Sequence, residues 1–153
     1  MSEPHSDARP GGLPPRLSAY DVRVFYGDTD QMGVAYYANY LRWFEMARNE
    51  YLRAVGFPYK RIEAGGVRLP VVEAGCKYHN PAYYDDWLRF EAWIADLGRV
   101  RIRFEYRIRR VGEAENLATG FTIHASLNAD GVPCRVPESL RMALQQFDPS
   151  LAP

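Results

Sequence analysis

Little in this sequence marks a membrane, a disulfide framework or a redox centre. Cysteine occurs only at Cys76 and Cys134, too few for a disulfide framework and not spaced as metal ligands. Both read as small buried hydrophobes. The three histidines, His5, His79 and His124, are scattered, so no metal site is expected. No apolar run approaches the ~18 residues that span a bilayer, and the N-terminus lacks the apolar segment of a secretory signal. A cytoplasmic protein without a membrane span is therefore expected. There is no charge excess either, with 19 Lys plus Arg against 19 Asp plus Glu, which removes the electrostatic ground for a nucleic-acid partner. The G-x-S-x-G nucleophile elbow is missing, as are both glycine-rich phosphate loops, so a serine hydrolase and a nucleotide cofactor are not supported.

What remains is the composition of one globular domain of 153 residues. Residues 1–18 carry Pro4, Pro10, Gly11, Gly12, Pro14 and Pro15 with little apolar content, so a disordered tail is expected there. The domain proper is expected over 19–148, with a short tail over 149–153. A first strand is expected over Tyr20–Tyr26 and a helix over Tyr37–Val55. In that helix Tyr40, Phe44, Ala47, Tyr51 and Val55 recur every four or three residues, and Leu41, Trp43 and Leu52 widen the stripe. Gly56 and Pro58 should stop it.

Strands follow. Val67–Tyr78 is the first, and Leu88, Phe90, Ala92 and Ile94 mark the second. Val100, Ile102, Phe104, Tyr106 and Ile108 alternate strictly with charged residues in the third, and Leu117 to Leu127 mark the fourth. Asp130-Gly131 signals a hairpin into a strand over Val132–Val136, and a helix over Glu138–Phe147 closes the chain. Consecutive strands joined by short turns favour an antiparallel sheet. One long apolar helix must bury its stripe on that sheet. The expected fold is thus α+β, an antiparallel β-sheet wrapped around a long central α-helix.

The segment Tyr26-Gly27-Asp28-Thr29-Asp30-Gln31-Met32-Gly33-Val34-Ala35-Tyr36-Tyr37-Ala38-Asn39-Tyr40 sets two carboxylates just before the helix. It reads either as a capping loop, since Asp favours helix starts, or as an acid presented in a cleft. Gly27 and Gly33 bracket the acids and let the backbone bend and approach a ligand, and the flanks are aromatic.

This stretch resembles the hotdog-fold acyl-CoA thioesterases of the hydroxybenzoyl-CoA thioesterase type. Their signature, Asp-Thr/Cys-Asp followed by Gly, two apolar residues, two aromatic residues and Asn-Tyr, is complete from Asp28 to Tyr40. The likeness continues through Arg42-Trp43-Phe44, Leu69-Pro70-Val71-Val72 and Tyr84-Asp85-Asp86, over about residues 19–140. The resemblance implies the hotdog fold and hydrolysis of an acyl-CoA, with Asp30 as the catalytic carboxylate and the Tyr37 backbone N–H directed at the thioester carbonyl. It implies CoA phosphate contacts from Arg99 and Arg101. Gly33, Tyr36 and Asn39 are further expected substrate contacts, with Gly33 also permitting the turn toward the helix and Asn39 either hydrogen-bonding the loop or lying on the helix surface. No separate cofactor is implied, because CoA is part of the substrate. The assembly it implies is a homotetramer built as a dimer of dimers.

The physics of a helix start agrees with these roles. Free N–H donors and partial positive charge there stabilise an oxyanion, and a carboxylate serves as nucleophile or general base. Asp28 is expected to hold the loop instead. Most arginines of the third long strand are expected to form a solvated face. The competing readings are a hotdog hydratase, opposed by the lack of any His between Asp30 and Gly56, and a helix carboxylate at Glu45 or Glu50. A non-catalytic acyl-binding domain and an acyl-carrier-protein thioesterase also compete.

Overall fold

In the computed structural model of the chain, residues 14–153 are described. Of the tail expected over 1–18, residues 1–13 lie outside the described residues. Arg16 stacks over the Phe147 ring at 4.0 Å and donates to the Phe147 carbonyl, and Ser18 already belongs to strand β1 (Ser18–Arg23). That strand stops before Tyr26 because Tyr26–Asp28 form a 3-10 turn, held by the Phe25 N–H donating to Asp28 Oδ2 at 2.8 Å.

Helix α1 runs Asn39–Val55, two residues later than expected. Gly56 ends it in the left-handed region at φ 83, with its N–H on the Arg53 carbonyl and the Phe57 N–H on the Leu52 carbonyl. This pairing satisfies the last open carbonyls of the helix, and only glycine adopts that φ without strain. Tyr40, Trp43, Phe44, Ala47, Tyr51 and Leu52 are buried as the spacing predicts. Leu41 is not, being 46% exposed, so the apolar stripe is narrower than expected. Pro58, expected only to stop the helix, also precedes a second one, α2 (Tyr59–Ala64). Its ring fixes a φ compatible with a helix start and removes an N–H that would have no partner there.

Strands β2 (Val71–Tyr78), β3 (Trp87–Leu97), β4 (Arg101–Arg110) and β5 (Asn116–Ala125) join β1 in one antiparallel sheet of order β1-β3-β4-β5-β2. β2 starts four residues later than expected, because Pro70 has no N–H to give the ladder. The strand expected over Val132–Val136 is absent. Only an isolated bridge, Leu127 to Pro133, forms there. The turn before it is real, with Gly131 at φ 75 and the Asn128 side chain accepting from the Asp130 and Val132 amides at 3.0 Å. Helix α3 spans Glu138–Phe147 as expected, and a 3-10 turn at Pro149–Leu151 follows it.

The chain order requires α1 to cross from the β1 edge to the β2 edge over one sheet face. Ile102, Phe104, Tyr106 and Ile108 of β4 are each exposed by 1% or less on that face. Phe44 stacks on Tyr106 with ring centroids 4.5 Å apart and planes at 8°. Gly120 makes this possible, since a Cβ there would overlap the Phe44 ring and come within 2.5 Å of the Gly75 carbonyl oxygen. The sheet therefore wraps a central helix, the hotdog arrangement.

A thread of polar groups runs through this core. His124 Nδ1 lies 2.8 Å from the Leu69 carbonyl, which accepts only, so Nδ1 carries the proton. Nε2 then accepts from the Thr122 hydroxyl at 2.8 Å, and that hydroxyl accepts from Tyr106 Oη at 2.6 Å. On the opposite sheet face Glu91 is buried and bridges Arg107 Nε at 2.5 Å and Arg109 Nη2 at 2.6 Å. Several arginines expected to be solvated are thus paired. No helix is long and apolar enough to cross a membrane among the described residues.

Candidate active site

Asp30 stands in a tight reversal between the 3-10 turn and α1. Thr29 and Ala35 form an antiparallel bridge, the Asp30 N–H donates to the Val34 carbonyl at 2.9 Å, and the Gly33 N–H returns to the Asp30 carbonyl at 3.0 Å. Gly33 takes φ 78, a conformation that any side chain would strain. The Asp30 carboxylate accepts from the Met32 N–H at 2.8 Å through Oδ1. It is partly exposed, so an oxygen remains free to meet a ligand.

Asp28 has a different part. Its carboxylate is buried, held by the Phe25 N–H and by Arg42 Nη2 at 2.8 Å. Its carbonyl accepts from the Tyr36 N–H and from Asn39 Nδ2, both at 2.8 Å. Asp28 therefore holds the loop against the helix start, as the sequence suggests. Asn39, expected as a substrate contact, directs its amide nitrogen to this anchor.

The first turn of α1 is loose in its hydrogen bonding. The Asn39 N–H reaches the Tyr36 carbonyl at 3.0 Å and the Tyr40 N–H reaches the Tyr37 carbonyl at 3.4 Å. The Tyr37 and Ala38 amides have no acceptor among the described residues. They are the unpaired donors that any helix start leaves. Tyr36 and Tyr37 lie side by side, with ring centroids 4.8 Å apart. The Tyr36 hydroxyl is pushed up in pKa, chiefly by its hydrogen bond with Tyr37.

A second loop braces the first. Ala35 donates to the Ala82 carbonyl at 2.8 Å, and Val34 bridges Tyr83. Asp86 Oδ2 accepts from the Tyr83 N–H at 2.8 Å and from Arg110 Nε at 2.9 Å. Asp85 is the one non-glycine residue at positive φ among the described residues, at 68°, and Arg23 Nη1 donates to its carbonyl and carboxylate at 3.0 Å. The strain at Asp85 thus sits in the brace of the Asp30 loop. The Asn39 bond to the loop is one of the two roles its sequence position suggests, whereas local pattern gave no sign of Arg42 or Ala82 as anchors, because each acts across at least fourteen positions.

Arg99 and Arg101 are elsewhere. Both are exposed at the β3–β4 turn, where Arg99 lines a cleft with Arg135, Val136, Glu138 and Arg141. Arg141 Nη2 donates to the Gly98 carbonyl at 2.5 Å. The Asp30 loop packs at the opposite end of β3, about 30 Å away along the strand. One protomer therefore does not bring these arginines to Asp30. Among the described residues no three His, Cys, Asp or Glu side chains gather as a metal site.

A family model described as the thioesterase-like superfamily matches residues 24–144. An acyl-CoA thioesterase of Haemophilus influenzae is 38% identical over 93 residues, which is 60% of this chain and 68% of that protein. A 1,4-dihydroxy-2-naphthoyl-CoA hydrolase of Synechococcus elongatus is 35% identical over 108 residues, 69% of this chain and 78% of that protein. The crystal structure of a hypothetical protein from Thermus thermophilus superposes with a TM-score of 0.80 at 36% identity, over 85% of this chain and 98% of that one.

Proposed function

The chain belongs to the thioesterase-like superfamily, and from that premise we propose that it hydrolyses acyl-CoA thioesters, with Asp30 as the catalytic carboxylate. The observation that carries this reading is the pairing of a partly exposed, hydrogen-bonded carboxylate with unpaired amides at the start of a buried helix. The Tyr37 N–H donates to the thioester carbonyl oxygen and stabilises the negative charge that grows there. The acyl-CoA names of its relatives support the substrate class.

Two routes fit the chemistry. In one, an Asp30 oxygen bonds to the thioester carbon, the C–S electrons pass to sulfur, and CoA leaves as a thiolate that takes up a proton. Water then cleaves the acyl–aspartyl anhydride. In the other, Asp30 takes a proton from water as that water attacks the same carbon, the C–S electrons pass to sulfur, and the CoA thiolate leaves and takes up a proton. Both give the free acid and CoA.

The reading includes a homo-oligomer, a tetramer built from dimers. The edge strand β2 supports it: among the described residues it pairs only with β5, and its Val71 and Val72 are exposed. Exposed apolar strand edges require cover. Gly33 and Tyr36 flank the acyl group, while Arg99 and Arg101 meet CoA phosphates across a subunit boundary. The test is thiol release from a panel of acyl-CoAs differing in chain length and aromaticity, with acyl-carrier-protein thioesters alongside. No release from any CoA thioester would sink the proposal. Light scattering at the mass of a monomer would remove its oligomeric part.

A further inference from the structure

Tyr78 is the last residue of β2, and its hydroxyl leaves the strand to donate to the Tyr37 carbonyl at 2.8 Å. Its ring meets Tyr40 edge to face, with centroids 4.9 Å apart and planes at 86°. The bond ties the edge of the sheet to the first turn of α1 across 41 positions. It is also the better of the two bonds on that carbonyl, since the Tyr40 N–H stands at 3.4 Å, a weak separation for N–H to O. Burial, followed by Cys76, pushes the Tyr78 hydroxyl up to about 12 in pKa. The group therefore stays protonated, and a donor, throughout the neutral range.

A peptide unit is planar and trans, so its N–H points opposite its C=O. Fixing a carbonyl therefore aims the amide of the same unit. The Asn39 N–H fixes the Tyr36 carbonyl and so aims the Tyr37 N–H. Tyr78 fixes the Tyr37 carbonyl and so aims the Ala38 N–H, and it also limits rotation at Tyr37 between the two units. Hydrogen bonding at the carbonyl polarises the amide of the same unit as well.

We propose that Tyr78 is a positioning residue for thioester hydrolysis, holding the Tyr37–Ala38 peptide so that the Ala38 N–H directly, and the Tyr37 N–H through restricted rotation at Tyr37, stay directed at the substrate carbonyl oxygen just ahead of α1. This rests on the reading of the Tyr37 amide as the oxyanion donor. The chemical step needs the amides aligned where the oxyanion forms, so the effect belongs in kcat. A tyrosine that merely lined the acyl site would act equally on bound substrate and transition state, and its loss would raise KM alone.

The test is Tyr78→Phe in the full chain, which keeps the ring against Tyr40 and removes only the hydroxyl. Steady-state thiol release is measured with an acyl-CoA that the wild type hydrolyses, beside Asp30→Asn. The expected result is a fall in kcat of about tenfold, smaller than direct loss of an oxyanion donor, with KM within about twofold and the melting temperature nearly unchanged. Tyr78→Leu, which also loses the ring, should lower kcat at least as far. A Tyr78→Phe kcat within twofold of wild type, or a raised KM at unchanged kcat, overturns the positioning role while an inactive Asp30→Asn leaves the thioesterase reading standing. An Asp30→Asn variant at near-wild-type rate removes only Asp30 from the mechanism, whereas a wild type without turnover overturns both.

Discussion

Arg42, on the first turn of α1, sets its Nη2 2.8 Å from Asp28 Oδ1, fourteen positions back in the chain. The other Asp28 oxygen takes the Phe25 N–H. One buried carboxylate thus fastens the turn before the Asp30 loop to the helix after it. Asp28→Ala leaves the part-buried Phe25 N–H without its acceptor and removes the partner of Arg42, and a loss of about 1–3 kcal/mol in urea unfolding is expected. Arg42→Ala should lose less, about 0.5–1 kcal/mol, because the Arg42 side chain is 55% exposed and its charge is screened. Equal losses would contradict this division.

Asp30→Asn separates chemistry from stability. The amide keeps an oxygen for the Met32 N–H, so the melting temperature should stay within a few degrees, in keeping with a change under about 1 kcal/mol. Turnover should fall about 100-fold or more, since neither a nucleophile nor a base remains. A variant with near-wild-type thiol release would remove Asp30 from the mechanism.

The two glycines facing aromatic rings should respond unequally. Gly120→Ala sets a methyl into the Phe44 ring and the Gly75 carbonyl, inside a packed core, and should destabilise by about 1–3 kcal/mol. At Gly75 the added methyl meets the Phe121 ring at 2.5 Å. Phe121 is only partly buried, and its ring needs to shift only against the Arg103 guanidinium stacked on it at 4.1 Å, so Gly75→Ala should cost less. Chemical denaturation of the two variants side by side decides the order.

Acid should weaken the fold through His124. Burial first, and the charge of Arg48 second, push this imidazole down to about 4 from its ordinary 6.5. The unfolded chain therefore binds the proton more readily than the folded one. The contribution is fully present above pH about 6.5 and is lost as pH falls towards about 4, reaching about 3 kcal/mol. The groups facing the ring agree, since Thr122 donates to Nε2 and the Leu69 carbonyl already takes the Nδ1 proton. A proton on Nε2 would confront that donor and force the Tyr106–Thr122 chain to reverse. In His124→Leu the acid slope of melting temperature over this window should flatten, although overall stability falls. An unchanged slope would assign acid sensitivity to other groups.

The parts legible in the sequence are those governed by local periodicity. Strict alternation gave β4 and its buried face, and recurrence at three and four gave α1. The left-handed Gly56 marked the end of α1. The short helix α2 escaped because six residues carry too little period to register. The strand expected over Val132–Val136 failed because its hairpin signal describes the turn, whereas a strand also needs a partner for its ladder. At the site, Asp30, Gly33 and the helix start were visible as one contiguous run. The bonds that hold them, from Arg42, Ala82 and Tyr78, join distant positions and leave no trace in local spacing.

On the proposed reading, the lengthwise separation of the Asp30 loop from the Arg99 hairpin divides the site into two halves at opposite ends of β3. If one extended ligand occupies both, they belong to different copies of the chain. Asp30→Asn and Arg99→Glu then damage different partners of one shared site. Each should be poor alone, and co-refolded mixtures should regain turnover in the fraction of hybrids that pair an intact acid with an intact basic hairpin. Mixtures no better than the average of their parents would remove Arg99 from the site that Asp30 serves.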